Sequence, residues 1–130
     1  MLDYNLNASV ANTCVFVQTD GFDYFILDNS QTFANPDPPK TGGLELFTIG
    51  GIWLDDNYLD HTNFKCHLFG ALVYDEDFAY DADVSAGGWS NTTPFDVPSV
   101  APSTTYYITV SGVDADGNTL FSVNTNFKFA

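Results

Sequence analysis

The sequence predicts an all-β protein, a sandwich or a barrel of seven to eight short strands, and three observations favour this class. Strand formers are plentiful, with 12 Phe and 7 Tyr among 130 residues, whereas residues that favour helices are scarce. Turn-forming residues interrupt the chain at intervals of about eight to twelve residues. The C-terminal stretch alternates apolar and polar side chains with the two-residue period of a half-buried strand.

The clearest element is a hairpin at the C-terminus. The stretch Asp116-Gly117-Asn118 separates its two arms and supplies residues that tolerate the positive φ of a tight turn. An apolar hairpin face must cover a core. The side chains predicted to share that face are Tyr106, Ile108, Val110, Phe121, Val123, Phe127 and Phe129.

Ahead of this hairpin, short apolar runs alternate with turn-forming residues. Residues 1–12 are polar and Asn-rich and predict an irregular arm, so a single domain is expected over residues 13–130. Residues 28–43 predict a long loop, because their prolines and glycines exclude regular structure. Strands are predicted at residues 13–18, 22–27, 44–49, 63–68 and 71–75.

The remaining segments carry weaker signals. Residues 52–61 fit either a strand edge or a helical turn. Residues 75–83 hold five carboxylates and predict a solvated edge or loop. Residues 85–93 are rich in Gly and Asn, and the three prolines of residues 94–105 require an extended chain.

The charge balance limits the partners of this protein. Three Lys and no Arg face 17 acidic residues, which gives a formal net charge of -14. Such a surface repels nucleic-acid phosphates and anionic membranes, so neutral molecules, cations or basic proteins are the expected partners. No apolar run approaches the length of a membrane span.

Signals of the cellular compartment are weak. The N-terminus lacks the basic and apolar segments of a signal peptide, which leaves an intracellular chain and a processed chain both open. Asn7 and Asn91 each begin a sequon for N-glycosylation, and Cys14 and Cys66 can form one disulfide. We expect an extracellular or lumenal protein.

Clustered carboxylates raise the possibility of a cation site. Asp75, Asp77, Asp81 and Asp83 are the candidates, since Ca²⁺ is bound by six to eight oxygen ligands. Their spacing matches no known calcium loop, and a solvated strand edge explains them better. We therefore expect no metal site and no cofactor.

No motif predicts catalysis. Cys66 and His67 are adjacent on a predicted strand and so point to opposite faces, which prevents them from converging on one ion. The sequence has no G-x-S-x-G elbow, P-loop or zinc spacing. We expect that the protein is not an enzyme.

The order of motifs resembles one known family. A Pro-rich loop, P-D-P-P-K-T-G-G, leads into L-E-L-F-T-I-G-G, and a strand with an internal glycine, N-F-K-C-H-L-F-G-A-L-V-Y, follows. The entry F-D-V-P-S-V-A-P-S-T-T-Y then feeds Y-I-T-V-S-G-V-D-A-D-G-N-T-L-F-S-V. Over residues 13–129 this order resembles the ML lipid-recognition domain, the family of mite group 2 allergens, lysosomal sterol carriers and phosphatidylglycerol/phosphatidylinositol transfer proteins.

The resemblance implies an immunoglobulin-like β-sandwich whose two sheets splay apart and hold one lipid. Family members usually carry a disulfide between the first and last strands. Cys14 lies at the first position, but Ser122 occupies the second. The cavity lining implied by the resemblance is Leu44, Leu46, Phe64, Leu68, Tyr106, Ile108, Val110, Phe121 and Val123.

Three functional hypotheses follow. The first is a non-catalytic lipid-binding domain, with a lipid or other apolar small molecule as its partner. The second is a structural or assembly subunit of an extracellular acidic filament or coat, which would contact copies of itself or other protein subunits. The third is a carbohydrate-binding or adhesion domain, provided that Trp53, Trp89, Tyr106 or Tyr107 is exposed. The alternative is that these rings fill the core or its rim, which is the simpler expectation for Trp53, whereas both positions stay open for Trp89.

Overall fold

A computed structural model describes residues 14–100 and 104–128, and these form nine strands and one short 3-10 helix at Asn29–Gln31. Residues 1–12, with Asn7, and residue Phe129 lie outside the described part of the chain. The strands are β1 (Val17–Asp20), β2 (Phe25–Leu27), β3 (Phe33–Asn35), β4 (Leu44–Trp53), β5 (Asn57–Leu68), β6 (Ala71–Val84), β7 (Gly87–Asp96), β8 (Thr105–Val113) and β9 (Thr119–Lys128).

Two antiparallel sheets form a sandwich. The first sheet has the order β1-β9-β8-β5-β6. In the second, β4 pairs with β7 along one side and with β2 and β3 along the other. The predicted all-β, immunoglobulin-like sandwich is confirmed. No helix in the described residues is long and apolar enough to cross a membrane.

The C-terminal hairpin is β8 and β9. Val110 pairs with Val123 at its centre, and the Asp114 carboxylate accepts hydrogen bonds from the backbone N–H groups of Asp116 and Asn118 in the turn. Gly117 adopts a φ of 83°, a conformation that few other residues tolerate. The hairpin and its turn chemistry are confirmed.

The neighbours of the hairpin differ in part from the expectation. The predicted strand 44–49 does lie across the sandwich, where Phe47 of β4 contacts Phe127 of β9 with ring centroids 6.2 Å apart. The predicted strand 63–68 does not, because β5 is hydrogen-bonded to β8 within the same sheet.

Two strands are longer than the residue types suggested. The acidic residues 75–83 belong to β6, which pairs with β5 on one side only and leaves its other edge unpaired among the described residues. The Gly-rich residues 85–93 mostly belong to β7, which pairs with β4 over ten residues. In both cases backbone hydrogen bonds to a neighbouring strand override weak local strand propensity.

The first strand is held to the last without a disulfide. Val17 and Gln18 of β1 pair with Asn124 and Val123 of β9. The Ser122 hydroxyl, at the position where the family carries cysteine, lies 2.8 Å from the Ser111 hydroxyl of β8. Backbone pairing therefore joins β1 to β9, and the hydroxyl hydrogen bond adds to the pairing of β9 with β8.

Aromatic rings fill most of the space between the sheets. At one end, Phe25 lies 5.0 Å from Trp53 and 4.9 Å from Phe121, measured between ring centroids. Nearer the other end, Phe47 lies 5.8 Å from Phe64. Rings at these separations gain stability beyond their buried area.

Strands β6 and β7 are consecutive but belong to different sheets. Only Ser85 and Ala86 connect them, and the Ala86 N–H donates to the Asp56 carboxylate at 2.9 Å. Close to this connection the Trp89 indole N–H donates to the Tyr80 hydroxyl at 3.0 Å. No backbone pairing joins β6 to β7 anywhere in the described residues. At the opposite end only side-chain contacts join the two strands in the described chain, with the Tyr74 and Phe95 ring centroids 5.2 Å apart.

Candidate ligand cavity between the sheets

A cavity of about 320 Å³ opens between the two sheets, at the end remote from the β6–β7 connection. Strands β5, β6 and β8 supply one wall, and the end of β7 with the chain that follows supplies the other. The lining is mainly apolar: Cys66, Leu68, Val73, Tyr74, Phe95, Asp96, Pro98, Val100 and Tyr106.

Stacked aromatic rings hold the inner end of the cavity in place. Phe64 of β5 stacks on Phe95 of β7 with centroids 5.0 Å apart, and Tyr74 meets the same Phe95 ring at 5.2 Å. Tyr106 stacks on Phe127 at 5.7 Å. The two contacts with Phe95 cross between the sheets and fix the width of the cavity, whereas the Tyr106–Phe127 contact lies within the first sheet.

The cavity contains only part of the predicted lining. Leu68 and Tyr106 line it, and Phe64 lies in contact with its Phe95 wall. The remaining residues of the first sheet are buried deeper, within the core, although they share the predicted inward face. These deeper residues are Ile108, Val110, Phe121 and Val123.

The predicted inward orientation of Leu44 and Leu46 is wrong. Leu44 is 55% exposed and Leu46 is half-buried, because the inward parity of β4 belongs to Glu45, Phe47 and Ile49. Apolar residues occur on both parities of this strand. The sequence pattern alone therefore did not distinguish its two faces.

Negative charge surrounds the mouth of the cavity. Asp96 lies in its lining, and the Tyr74 hydroxyl donates a hydrogen bond to the Glu76 carboxylate. That hydrogen bond, with burial and the charges of Glu76 and Asp96, raises the pKa of Tyr74 to about 12. Burial raises the pKa of the Cys66 thiol to about 11, so Cys66 stays protonated and unreactive at neutral pH.

Glu45 is a buried carboxyl group that the sequence pattern did not reveal. Its side chain is 1% exposed, and neither carboxylate oxygen has a hydrogen-bond partner within the described residues. Burial and the neighbouring Asp37 carboxylate raise the pKa of Glu45 to about 7. The Asn35 backbone N–H opposes this rise only weakly and falls short of hydrogen-bond geometry. Glu45 pairs with Phe95 across β4 and β7, and so adjoins the cavity wall.

The possible disulfide between Cys14 and Cys66 does not form, and both residues are buried free thiols. Cys14 lies just before β1 and Cys66 lies on β5, with β9 and β8 between them in the sheet. Strands lie about 4.8 Å apart, so three steps separate the two residues by roughly 14 Å. A disulfide requires Cα atoms within about 7 Å.

The acidic candidates for a metal site are dispersed along the edge strand β6. The Asn63 amide donates to the carboxylates of both Asp75 and Asp77 at 2.7 Å, and the Tyr58 hydroxyl donates to Asp81. Within residues 14–100 and 104–128, no three His, Cys, Asp or Glu side chains lie close enough to hold a metal ion. Asp83 also lies on this strand and is exposed, as expected for a solvated edge.

The aromatic residues considered for sugar binding are mostly buried. Trp53 is 1% exposed, and half-buried Trp89 packs against it at 5.4 Å. Tyr106 lines the cavity, whereas Tyr107 is exposed on the outer face of the first sheet. Asn91 is half-buried on β7.

Comparison with known proteins identifies the fold. No family model and no curated protein matches the sequence. Among solved structures, the chain is similar to a Niemann-Pick type C2 protein from the Japanese carpenter ant, with a TM-score of 0.60, 10% identity, and coverage of 89% of this chain and 99% of that chain. It is also similar to chicken MD-1 in a complex with lipid IVa, with a TM-score of 0.53, 12% identity, and coverage of 89% and 88%.

Both of these structures are ML lipid-recognition domain proteins. At such low identity the likeness concerns the fold, and it agrees with the resemblance stated from the sequence motifs. The chain therefore has the fold of the ML lipid-recognition domain.

Proposed function

We propose that this protein is a non-catalytic lipid-binding domain that holds an apolar ligand in the cavity between its sheets. The cavity of about 320 Å³ and its mainly apolar lining are the observation that carries the proposal, since ligand pockets begin at about 300 Å³. Burial of apolar ligand surface supplies about 25 cal/mol per Å², without any catalytic group.

The comparison with MD-1 supports the same function. The crystallised MD-1 is in complex with a lipid, lipid IVa, and this chain shares its fold. The filled aromatic core at the β6–β7 connection confines the proposed ligand to the opposite, open end of the sandwich.

Filling the cavity tests the proposal. Leu68→Trp inserts a large ring into the lining, whereas Leu72→Trp changes an exposed residue of the same hairpin that does not line the cavity. Native mass spectrometry should show a bound lipid in the wild type and in Leu72→Trp, and organic extraction should remove that mass. Leu68→Trp should carry no bound lipid. A wild type that binds no lipid after incubation with a lipid extract would contradict the proposal.

A second candidate function is that of a structural or assembly subunit. Two observations favour it: the core is largely filled by its own aromatic rings, and the outer edge of β6 is unpaired among the described residues. An unpaired edge is a template for pairing with another chain. Analytical ultracentrifugation decides this candidate, because a chain that stays monomeric at high concentration is not such a subunit.

We also propose that the protein works in an extracellular or lumenal compartment. The sequon at Asn91 lies on β7, and Asn91 is half-buried rather than enclosed. Expression through the secretory pathway of eukaryotic cells should add a glycan whose mass disappears in Asn91→Gln. An unmodified Asn91 in secreted protein would remove this support.

A further inference from the structure

The volume of the cavity limits the number of carbon atoms that a ligand can bury there. A dry apolar cavity of about 150 Å³ accommodates one benzene ring, so a cavity of about 320 Å³ accommodates roughly a dozen carbon atoms. One acyl or alkyl chain of that length fits this space. A sterol or a lipid with several chains has more carbon atoms than the cavity can enclose.

The groups at the cavity mouth limit the head group. Asp96 lies in the lining, the Tyr74 hydroxyl is hydrogen-bonded to the Glu76 carboxylate, and no Lys or Arg is among the described residues that line the cavity. The whole chain carries a formal net charge of -14, so its field has the same sign as these local carboxylates. An anionic head group at this mouth therefore meets repulsion and finds no compensating cation among the described lining residues.

From the cavity volume and the carboxylates at its mouth, we infer that the ligand is a single-chain amphiphile of about a dozen carbon atoms whose head group carries no negative charge. The chain lies along Leu68, Phe95 and Tyr106, and the head group remains at the mouth beside Asp96. This inference rests on the proposed lipid-binding function and adds the ligand class.

Displacement of Nile red, an uncharged apolar dye, compares the ligand classes directly. The probes are dodecanol, dodecyltrimethylammonium, dodecanoate and cholesterol, each below its aggregation limit at neutral pH. We expect dodecanol and dodecyltrimethylammonium to displace the dye at concentrations at least about tenfold lower than dodecanoate, and cholesterol not to displace it. Equal or tighter binding of dodecanoate or cholesterol would overturn the inference.

A charge variant tests the role of the mouth. Asp96→Asn removes the carboxylate from the lining, and Asp23→Asn removes an exposed carboxylate near the opposite end of the sandwich as the matched control. We expect Asp96→Asn to narrow the gap between dodecanol and dodecanoate by about threefold or more, and Asp23→Asn to leave it unchanged. If both substitutions had the same effect, the preference for dodecanol over dodecanoate would come from net charge, and the role inferred for Asp96 at the mouth would be overturned.

The outcomes separate this inference from the proposed function. If no probe binds and no lipid is found by mass spectrometry, the lipid-binding function itself fails. If cholesterol or dodecanoate binds best and Leu68→Trp blocks it, the function stands and the inferred ligand class is wrong.

Discussion

Glu45 is a carboxyl group that the sandwich holds away from water. It faces the Asp37 carboxylate and the Cys14 thiol, and both carboxylate oxygens lack a hydrogen-bond partner within the described residues. An ionised carboxylate in this position would be desolvated and repelled by Asp37. The folded state therefore favours the protonated acid over the carboxylate.

The raised pKa of Glu45 predicts a stability that falls as pH rises. Its pKa is about 7 in the folded chain and 4.5 ordinarily, so the folded state binds the proton more tightly. The stabilising contribution is complete below pH 4.5 and is lost as pH rises through about 7, a decrease of up to about 3 kcal/mol in the free energy of unfolding.

Urea denaturation of the wild type and of Glu45→Gln at pH values from 4.5 to 8 measures this contribution. The glutamine stays uncharged throughout this range, so the difference in stability between the two proteins should change with pH by the amount stated. Parallel pH profiles would show that Glu45 does not titrate in the folded chain.

The β5–β6 hairpin turns on Phe69 and Gly70, with φ angles of 53° and 77°. Two-residue hairpin turns with positive φ at both positions favour Asn-Gly, whereas a bulky residue at such a φ is strained. Phe69 is also 77% exposed, so its ring gains little from burial.

Phe69→Asn should therefore stabilise the protein, by about 1 kcal/mol. Phe22→Asn is the matched control, because Phe22 is 55% exposed in another turn and its φ is not positive. Chemical denaturation should show a gain for Phe69→Asn and none for Phe22→Asn. A loss of stability in Phe69→Asn would mean that the exposed ring contributes more than the turn conformation costs.

A further prediction concerns which side chains of β8 face the core. Ile108 is 1% exposed, and Ile108→Asp places an unpaired charge in the core, which should abolish cooperative folding. The neighbouring Thr109 points to the outer face, and Thr109→Asp should cost about 1 kcal/mol or less. Circular dichroism melting distinguishes the two variants. A folded Ile108→Asp would place β8 in the opposite orientation.

The sequence predicted the elements in which local pattern and tertiary packing agree. The terminal hairpin has one apolar parity and a turn whose residues suit it, so its faces and register were readable. In β4, apolar residues occupy both parities and the inward Glu45 is charged by type, so the pattern pointed to the wrong face. Strand β6 was predicted only over residues 71–75; the carboxylates of residues 75–83 left a solvated edge and a loop both open, and pairing with β5 decides for the edge strand.

The candidate site was predictable only as a general location. Leu68 and Tyr106 were readable as inward residues of their strands, but the wall formed by Phe95, Pro98 and Val100 depends on where β7 meets the other sheet. The position of that contact depends on tertiary packing and not on local sequence. The family resemblance placed the cavity between the sheets, and the packing of this chain's own aromatic rings confines it to one end.

The charge of the whole molecule predicts a response to salt. A net charge of -14 with only three Lys produces self-repulsion in the compact state, and added salt screens it. Raising sodium chloride from low to moderate concentration should stabilise the fold by about 1 kcal/mol, equivalent to roughly 4 °C in Tm.

Two controls identify screening as the cause. Potassium chloride should give the same increase in Tm, and calcium chloride at constant ionic strength should add nothing, since the described carboxylates form no metal cluster. A specific increase with calcium would contradict the assignment of Asp75, Asp77, Asp81 and Asp83 to a solvated edge.

The short link between β6 and β7 has a consequence for how a ligand enters. It joins the two sheets at one end, together with the Trp89–Tyr80 hydrogen bond, and the cavity lies at the other end, where no backbone pairing crosses between these strands in the described chain. Because the ladder hydrogen bonds lie within each sheet, a ligand that enters at the cavity has to displace side-chain contacts and no ladder hydrogen bond. These contacts include Phe64–Phe95 and Tyr74–Phe95, so the barrier to ligand exchange is one of aromatic packing and should grow with the size of the rings at these contacts.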